Sequence, residues 1–254
     1  MDVLWKLSIP CEIPNQELEL PPYRLVAAPW LYMLKPGTAE RLTRFVEARG
    51  TLVLTFLTGW VNETDLCFEG GFPGPLRALA GIWAEEMDAL WKRQPNRAIP
   101  MENNDLQLKG EYNIDSICEL IHDEGSEVLA TYGDDWYRGR PVLTRHHFGK
   151  AEVYYVDTKT DQRFHDDLML ALVKRIGISP VVEGLPDGVN AQLRTDGQRE
   201  EYFRDSPKMK CCGSRPNWFK LKFLPGGPGA GRHLLYMTET NRSPGLGYNP
   251  ASVR

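Results

Sequence analysis

No apolar run in these 254 residues reaches the roughly 18 that a membrane-spanning helix needs, and Asp2-Val3-Leu4-Trp5 follows Met1 without a basic or cleavable apolar leader. The expectation is a cytoplasmic chain with no membrane contact. Cysteine is scarce. The five thiols, at positions 11, 67, 118, 211 and 212, are odd in number and form no C-x-x-C pair, which speaks against a zinc site and a disulfide framework. Reduced, mostly buried thiols are the reading that remains. What is present is ordinary: 42% hydrophobic, 25% charged and 10% aromatic residues exclude a disordered tail, a collagen-like fibre and a small disulfide scaffold. The length suffices for one large or two modest domains with real cores.

Acidic residues are almost missing from the last fifth of the chain. Residues 206–254 carry eight Lys or Arg against the single Glu239, a balance of +7, whereas residues 1–205 carry 22 against 33, a balance of -11. The same stretch holds runs such as Pro225-Gly226-Gly227-Pro228-Gly229-Ala230-Gly231 and no sustained period, so 206–254 reads as a disordered or poorly packed tail. Its basic residues are loosely spaced and belong to no nucleic-acid module, so no nucleic-acid partner is expected.

The acidic body alternates strand and helix signals. Residues 23–28 (YRLVAA) form a short apolar run closed by Pro29. Thr38 is placed to cap a helix over 39–49 with Leu42, Phe45 and Val46 on one face, and Gly50 stands where a left-handed residue would end it. Residues 51–57 (TLVLTFL) then read as a parallel strand buried on both faces, which completes a βαβ crossover. Residues 58–110 break the rhythm and read as a long excursion with a helical stretch from Leu76, of the kind that serves function or subunit contact. Beyond it the pattern predicts a short helix over 113–121 and a strand over 127–132. A hairpin of 141–148 with 151–156, through Gly149-Lys150, and a helix over 163–176 complete an α/β sheet with an antiparallel edge. Past Pro180, strands at 189–194 and 200–203 about Thr195-Asp196-Gly197 begin a second, all-β unit.

Candidate chemistry is thin. Glycoside hydrolysis needs two carboxylates facing each other across the scissile bond, but Glu85-Glu86 and Asp134-Asp135 are sequence neighbours whose side chains diverge, and the second pair suits a polar turn over 133–139. An amidotransferase-type site needs a Cys on a strand-to-helix elbow. The 51–57 strand ends at Thr58-Gly59-Trp60 without a thiol, Cys67 lies downstream in an irregular segment, and Cys118 falls inside the expected helix. His146 and His147 are adjacent on a strand and face opposite sides, one exposed and one half-buried, so they hold no common metal. Gly226 and Gly229 follow no strand and open no helix, so no nucleotide fingerprint is present. Trp30, Trp60 and Trp136 lie at turns, where indoles stack on sugars or close an interface; the interface is favoured. No catalytic, cofactor-binding or metal-binding residue is assigned.

Several strings together carry a resemblance. Residues 23–90 (YRLVAAPWLYMLKPGTAERLTRFVEARGTLVLTFLTGWVNETDLCFEGGFPGPLRALAGIWAEEMDAL), then 127–156 (EVLATYGDDWYRGRPVLTRHHFGKAEVYYV) and 183–189 (EGLPDGV), closely resemble, in order, the region after the catalytic barrel in β-galactosidases of glycoside hydrolase family forty-two. The resemblance runs from about residue 2 to about 203. It implies a catalytically silent trimerisation domain, a flavodoxin-like, class I glutamine amidotransferase-like doubly wound sheet, over 1–180. It also implies the start of a small β domain over 181–205. The family's acid/base and nucleophile glutamates reside in a TIM barrel with no counterpart here, so no site residue is carried over. Residues 2–13 (DVLWKLSIPCEI) resemble the end of a helix and the second strand of that domain, so its own first strand is missing. That strand is normally central, and its loss predicts an apolar gap with two unpaired edges. Residues 206–254 replace the remaining β-domain strands, as a shifted reading frame would. The implied role is homotrimer-type subunit contact within an enzyme that hydrolyses terminal β-D-galactosides. The alternatives are an assembly or carbohydrate-binding module for a separate barrel chain, and an amidotransferase-like enzyme with a reactive thiol.

Overall fold

The computed structural model describes residues 2–20, 23–91 and 95–181, together with strands at 190–195, 200–205 and 234–236. The order is α1 (Asp2–Lys6), β1 (Cys11–Glu12), β2 (Leu25–Ala28), β3 (Met33–Leu34), α2 (Thr38–Glu47), β4 (Thr51–Thr55), β5 (Val61–Asn62), α3 (Arg77–Ala80), β6 (Ile82–Ala89) and β7 (Asn96–Pro100). It continues with β8 (Tyr112–Asp123), β9 (Glu127–Tyr132), β10 (Pro141–Phe148), β11 (Ala151–Val156), β12 (Thr158–Thr160), α4 (Gln162–Arg175), β13 (Asn190–Thr195), β14 (Glu200–Asp205) and β15 (Leu234–Tyr236).

One mixed sheet organises the molecule, in the order β1-β15-β2-β4-β11-β10-β9-β7-β8-β12, with β6 also on β8. Its first five strands run parallel and the rest pair antiparallel. Successive strand residues point to opposite faces, so each parallel strand feeds two cores. Leu25, Ala27, Val53, Tyr154 and Val156 pack with Leu4 of α1 and with Phe164, Leu168 and Leu172 of α4. Val26, Ala28, Leu52, Leu54, Val153 and Tyr155 pack with Leu42, Phe45 and Val46 of α2 and with Leu79 and Ala80 of α3. Helices cover both faces of an α/β sandwich, and β2-α2-β4 is the expected parallel crossover.

Local chemistry explains the helix ends, with two corrections. Thr38 does not cap α2. Gly37 is the N-cap, at φ 78, and Thr38 sits in the first turn, its hydroxyl donating to Gln16 Oε1 at 3.0 Å. At the other end the left-handed residue is Arg49, at φ 71, and not Gly50. Arg49 N–H donates to Val46 O and Gly50 N–H to Phe45 O, which is the Schellman pattern. Gly50 is required for a different reason: a Cβ there would land on the Phe45 ring. For α4, Asp161 is the N-cap and accepts the Phe164 N–H.

The largest correction concerns 113–121, which is not a helix but the middle of β8, paired with β6, β7 and β12. Ile114, Ile117, Cys118 and Ile121 recur at i, i+3, i+4, i+7 and so imitate a helical stripe. The deciding signal is the alternation of buried Tyr112 and Ile114 with exposed Asn113 and Asp115, continued by hydrogen bonds to strands on both sides. The 58–110 excursion is also shorter of loop than expected: its helix is one turn, α3, and β6 and β7 join the sheet.

The gap expected from a missing first strand is filled. β15, from within the supposed tail, lies between β1 and β2 and runs parallel to both. The unpaired edges of β1 and β2 supply the reason, since exposed strand edges template another strand. Strands β13 and β14 form their own antiparallel pair, and Ala191 N–H donates to Ser8 Oγ at 3.1 Å. The turn at 196–199, the string 183–189, Cys211, Cys212, and Gly226 and Gly229 lie outside the described residues.

Candidate functional site

The carboxyl ends of β2, β4 and β11 meet β8 at one place, where ligands of α/β sheets commonly bind. Strand β4 turns sharply after Phe56, and Leu57 takes φ 58. This left-handed turn carries an apolar side chain. Its backbone N–H donates to Glu119 Oε1 at 2.7 Å, and the Trp60 indole N–H reaches the same oxygen at 3.3 Å. Glu119 Oε2 accepts the Tyr155 hydroxyl at 2.7 Å.

Glu119 is fully buried, and burial pushes its carboxyl up to about 7 against the opposing pull of those three donors. Asp157 lies beside it: Glu119 N–H donates to Asp157 O at 2.9 Å. The Asp157 carboxyl oxygens have no hydrogen bond of good geometry. The nearby Tyr132 hydroxyl favours the charged form of Asp157 but donates to Glu119 O, at 3.2 Å. Burial first, and the neighbouring Glu119 second, hold Asp157 well above the usual carboxylate range. The Leu57 N–H is thus consumed internally by a buried acid, and the arrangement rigidifies the loop rather than cradling an oxyanion.

The singled-out residues scatter around this cluster. Cys118 is on β8, buried, and its thiol is pushed up to about 11 chiefly by burial, so it is protonated near neutrality; Cys67 is exposed and Cys11 half-buried, so among the described thiols only Cys118 is buried. Asp134 is engaged by Arg97 at 2.7 Å, Asp135 takes φ 70 in the polar turn, and Glu85 pairs with His122 at 2.7 Å. His146 is half-buried, its Nδ1 2.9 Å from Leu79 O, and His147 is exposed. Among the described residues no group of three His, Cys, Asp or Glu could hold a metal ion, and no helix is long and apolar enough to cross a membrane.

The tryptophans divide. Trp60 is partly buried, stacks on Phe72 at 4.1 Å and donates its indole N–H to Glu119. Trp30, by contrast, is 55% exposed at the same strand ends, its N–H donating to Thr55 Oγ1 at 2.7 Å and its ring tilted on Phe56. Trp136 is 67% exposed, with Arg140 over its ring, and Trp91 is 79% exposed. Such indoles are the residues an interface buries.

Sequence reasoning missed Glu119, Asp157 and Arg145. Buried Arg145 on β10 binds Asp105 and Glu127, and Arg175 of α4 joins Asp105 to Glu152. The available signal was a charge inside an apolar run, Ile117-Cys118-Glu119-Leu120-Ile121 above all.

Residues 2–179 match the model of the β-galactosidase trimerisation domain. The chain belongs to that family. This trimerisation domain is 46% identical over 200 residues to a β-galactosidase of Clostridium perfringens, covering 78% of the chain and 29% of that protein. It is 46% identical over 202 residues to one of Alicyclobacillus acidocaldarius, again covering 78% and 29%. Among solved structures, the β-galactosidase of Rahnella sp. R3 superposes with a TM-score of 0.76 at 46% identity over 80% of this chain and 30% of that one. That of Bacillus circulans sp. alkalophilus does so with 0.75 at 42%, with the same coverage. The chain therefore spans about three tenths of the length of these relatives.

Proposed function

We propose that this chain is the non-catalytic, subunit-contact portion of a β-galactosidase, an enzyme that hydrolyses terminal β-D-galactosides in carbohydrate metabolism. On this reading it works in the cytoplasm as a homotrimer-type contact, contributes no catalytic, cofactor or metal residue, and has no activity by itself. The supporting observation is the contrast at the strand ends. Leu57 stands at the elbow with its N–H closed onto buried Glu119, while Trp30 beside it is displayed to solvent. The same elbow supports the finer fold assignment, a doubly wound sheet of the glutamine amidotransferase-like kind with its nucleophile position silenced. Residues 1–180 form the trimerisation domain, 181–205 open a β domain, and 206–254 follow as a basic, Gly- and Pro-rich stretch from which β15 joins the sheet. An independent amidotransferase-like activity is disfavoured by the protonated Cys118 and the Leu57 elbow.

Purified full-length chain, assayed with a chromogenic β-galactoside and weighed by light scattering, tests the reading. A trimer without turnover is expected. Turnover that follows the protein through purification and disappears on mutating one of its own carboxylates would overturn it.

The exposed indoles of Trp30, Trp91 and Trp136 favour one second reading, an assembly or carbohydrate-binding module for a separate barrel chain. A monomer that captures a barrel polypeptide or retards on a galactan column would favour it.

A further inference from the structure

We propose that the sheet carries a strand-acceptor groove between β1 and β2, and that its occupant, the chain's own Leu234–Tyr236, is a short strand recognised through main-chain pairing and exchangeable with an added peptide. The register is continuous on both sides. Leu234 and Leu235 lie opposite Cys11 and Glu12 of β1, and Leu234, Leu235 and Tyr236 lie opposite Leu25, Val26 and Ala27 of β2. β1 and β2 are joined through β15, without direct pairing of their own.

The groove has a physical need for an occupant. Neighbouring strands sit about 4.8 Å apart, so removing β15 opens a slot about two such spacings wide. One wall is β2, whose four residues are all buried, and α1 contributes the buried Leu4. Backbone N–H and C=O groups along buried β2 would lose their partners with little water to replace them, which makes an empty groove unfavourable. Any extended segment able to run parallel to β2 relieves this, because strand addition is read through the main chain.

The occupant named here is argued from pairing and sequence. β15 is not tied to a neighbour by a tight turn; 28 residues separate it from the end of β14 at Asp205. Within the Gly- and Pro-rich tail, residues 232–238 (RHLLYMT) contain neither residue and centre on an apolar triplet. The ligand class of the groove is thus an extended apolar peptide in parallel register.

Register-specific crosslinking of the full chain tests this. In a chain with Cys67→Ser, Cys211→Ser and Cys212→Ser, the variant Leu234→Cys stands opposite Cys11 and should give an intrachain disulfide under a mild oxidant, seen as a faster-migrating monomer on a non-reducing gel that shifts back on reduction. The variant Tyr236→Cys should not. Disulfide-linked dimers would overturn the intrachain occupant in favour of a second copy, and absence of any crosslink would overturn the groove pairing altogether. Hydrogen exchange gives an independent readout. Amides of Leu25–Ala28 should exchange at least tenfold faster in Leu235→Pro while β9 and β10 are unchanged, and an excess of a peptide of residues 232–238 should restore protection. If Leu235→Pro does not fold, the unmodified chain decides: amides of Leu234–Tyr236 exchanging as fast as those of the free peptide of residues 232–238 would overturn the proposal.

Discussion

The carboxylate oxygen of Glu119 that accepts the Leu57 N–H, at 2.7 Å, joins residues 62 positions apart and locks a left-handed elbow to the strand beneath it. A buried acid in this position has a clear pH signature. Glu119 ionises near 4.5 when unfolded and at about 7 when folded, so folding takes up a proton between those values. Its contribution is most favourable below about 4.5, falls as pH rises through that window, and is flat above about 7. Asp157, also raised, adds to the same trend. Glu119→Gln keeps an acceptor for Leu57 and Trp60 and a donor for the Tyr155 hydroxyl. Urea unfolding across the window should therefore show a shallower slope and, at about pH 8, a more stable protein. Glu119→Ala should instead lose about 3 kcal/mol, because three buried donors are left without an acceptor. Equal slopes in Glu119→Gln and the unmodified protein would refute the assignment.

Gly50 and Arg49 make a paired prediction. Gly50→Ala drives a methyl into the Phe45 ring and should cost about 1–3 kcal/mol, recovered in part by Phe45→Leu. Arg49→Gly removes left-handed strain worth about 1–2 kcal/mol against a similar entropic loss, so it should be neutral or slightly stabilising. Thermal melts of the three variants check both.

Arg145 should be the costliest surface-linked charge to remove. It is buried while Asp105 and Glu127 remain partly exposed, so Arg145→Ala leaves half-solvated acids rather than fully stranded ones. The expected loss is about 2 kcal/mol by chemical denaturation. Arg145→Lys should restore little of it, since an ammonium cannot serve both carboxylates in the forked geometry.

Trp30→Glu tests the proposed contact. The indole is more exposed than buried, so circular dichroism and melting should change little. The mass in solution should fall from trimer to monomer. A trimer that survives both Trp30→Glu and Trp136→Glu would place the contact elsewhere.

The parallel half of the sheet and its hairpin were legible because their signals are local: LVAA and TLVLT are apolar on both faces, and Gly149-Lys150 marks a turn between two periodic runs. β8 was misread because Ile114, Ile117, Cys118 and Ile121 carry two periods at once, and only pairing partners distant in sequence decide between them. The same error hid Glu119, whose burial follows from β8 being a central strand. β15 was invisible for a related reason. Three residues in a Gly- and Pro-rich stretch have no period of their own, and what selects them is the vacancy between β1 and β2.

The double-sided burial of β2 has a further consequence for alignment of the sheet. In a strand with one wet face, sliding by one residue exposes every apolar side chain and is forbidden. In LVAA a slide would merely exchange Leu25 and Ala27 with Val26 and Ala28 between two greasy layers. Polarity is therefore silent about alignment, and the fold must set it by other means. One such means sits just past the carboxyl end of the strand, where the Thr55 hydroxyl accepts the Trp30 N–H. Thr55 acts as the notch of a ruler, and a single-residue insertion in this strand would be resisted by that side-chain hydrogen bond rather than by water.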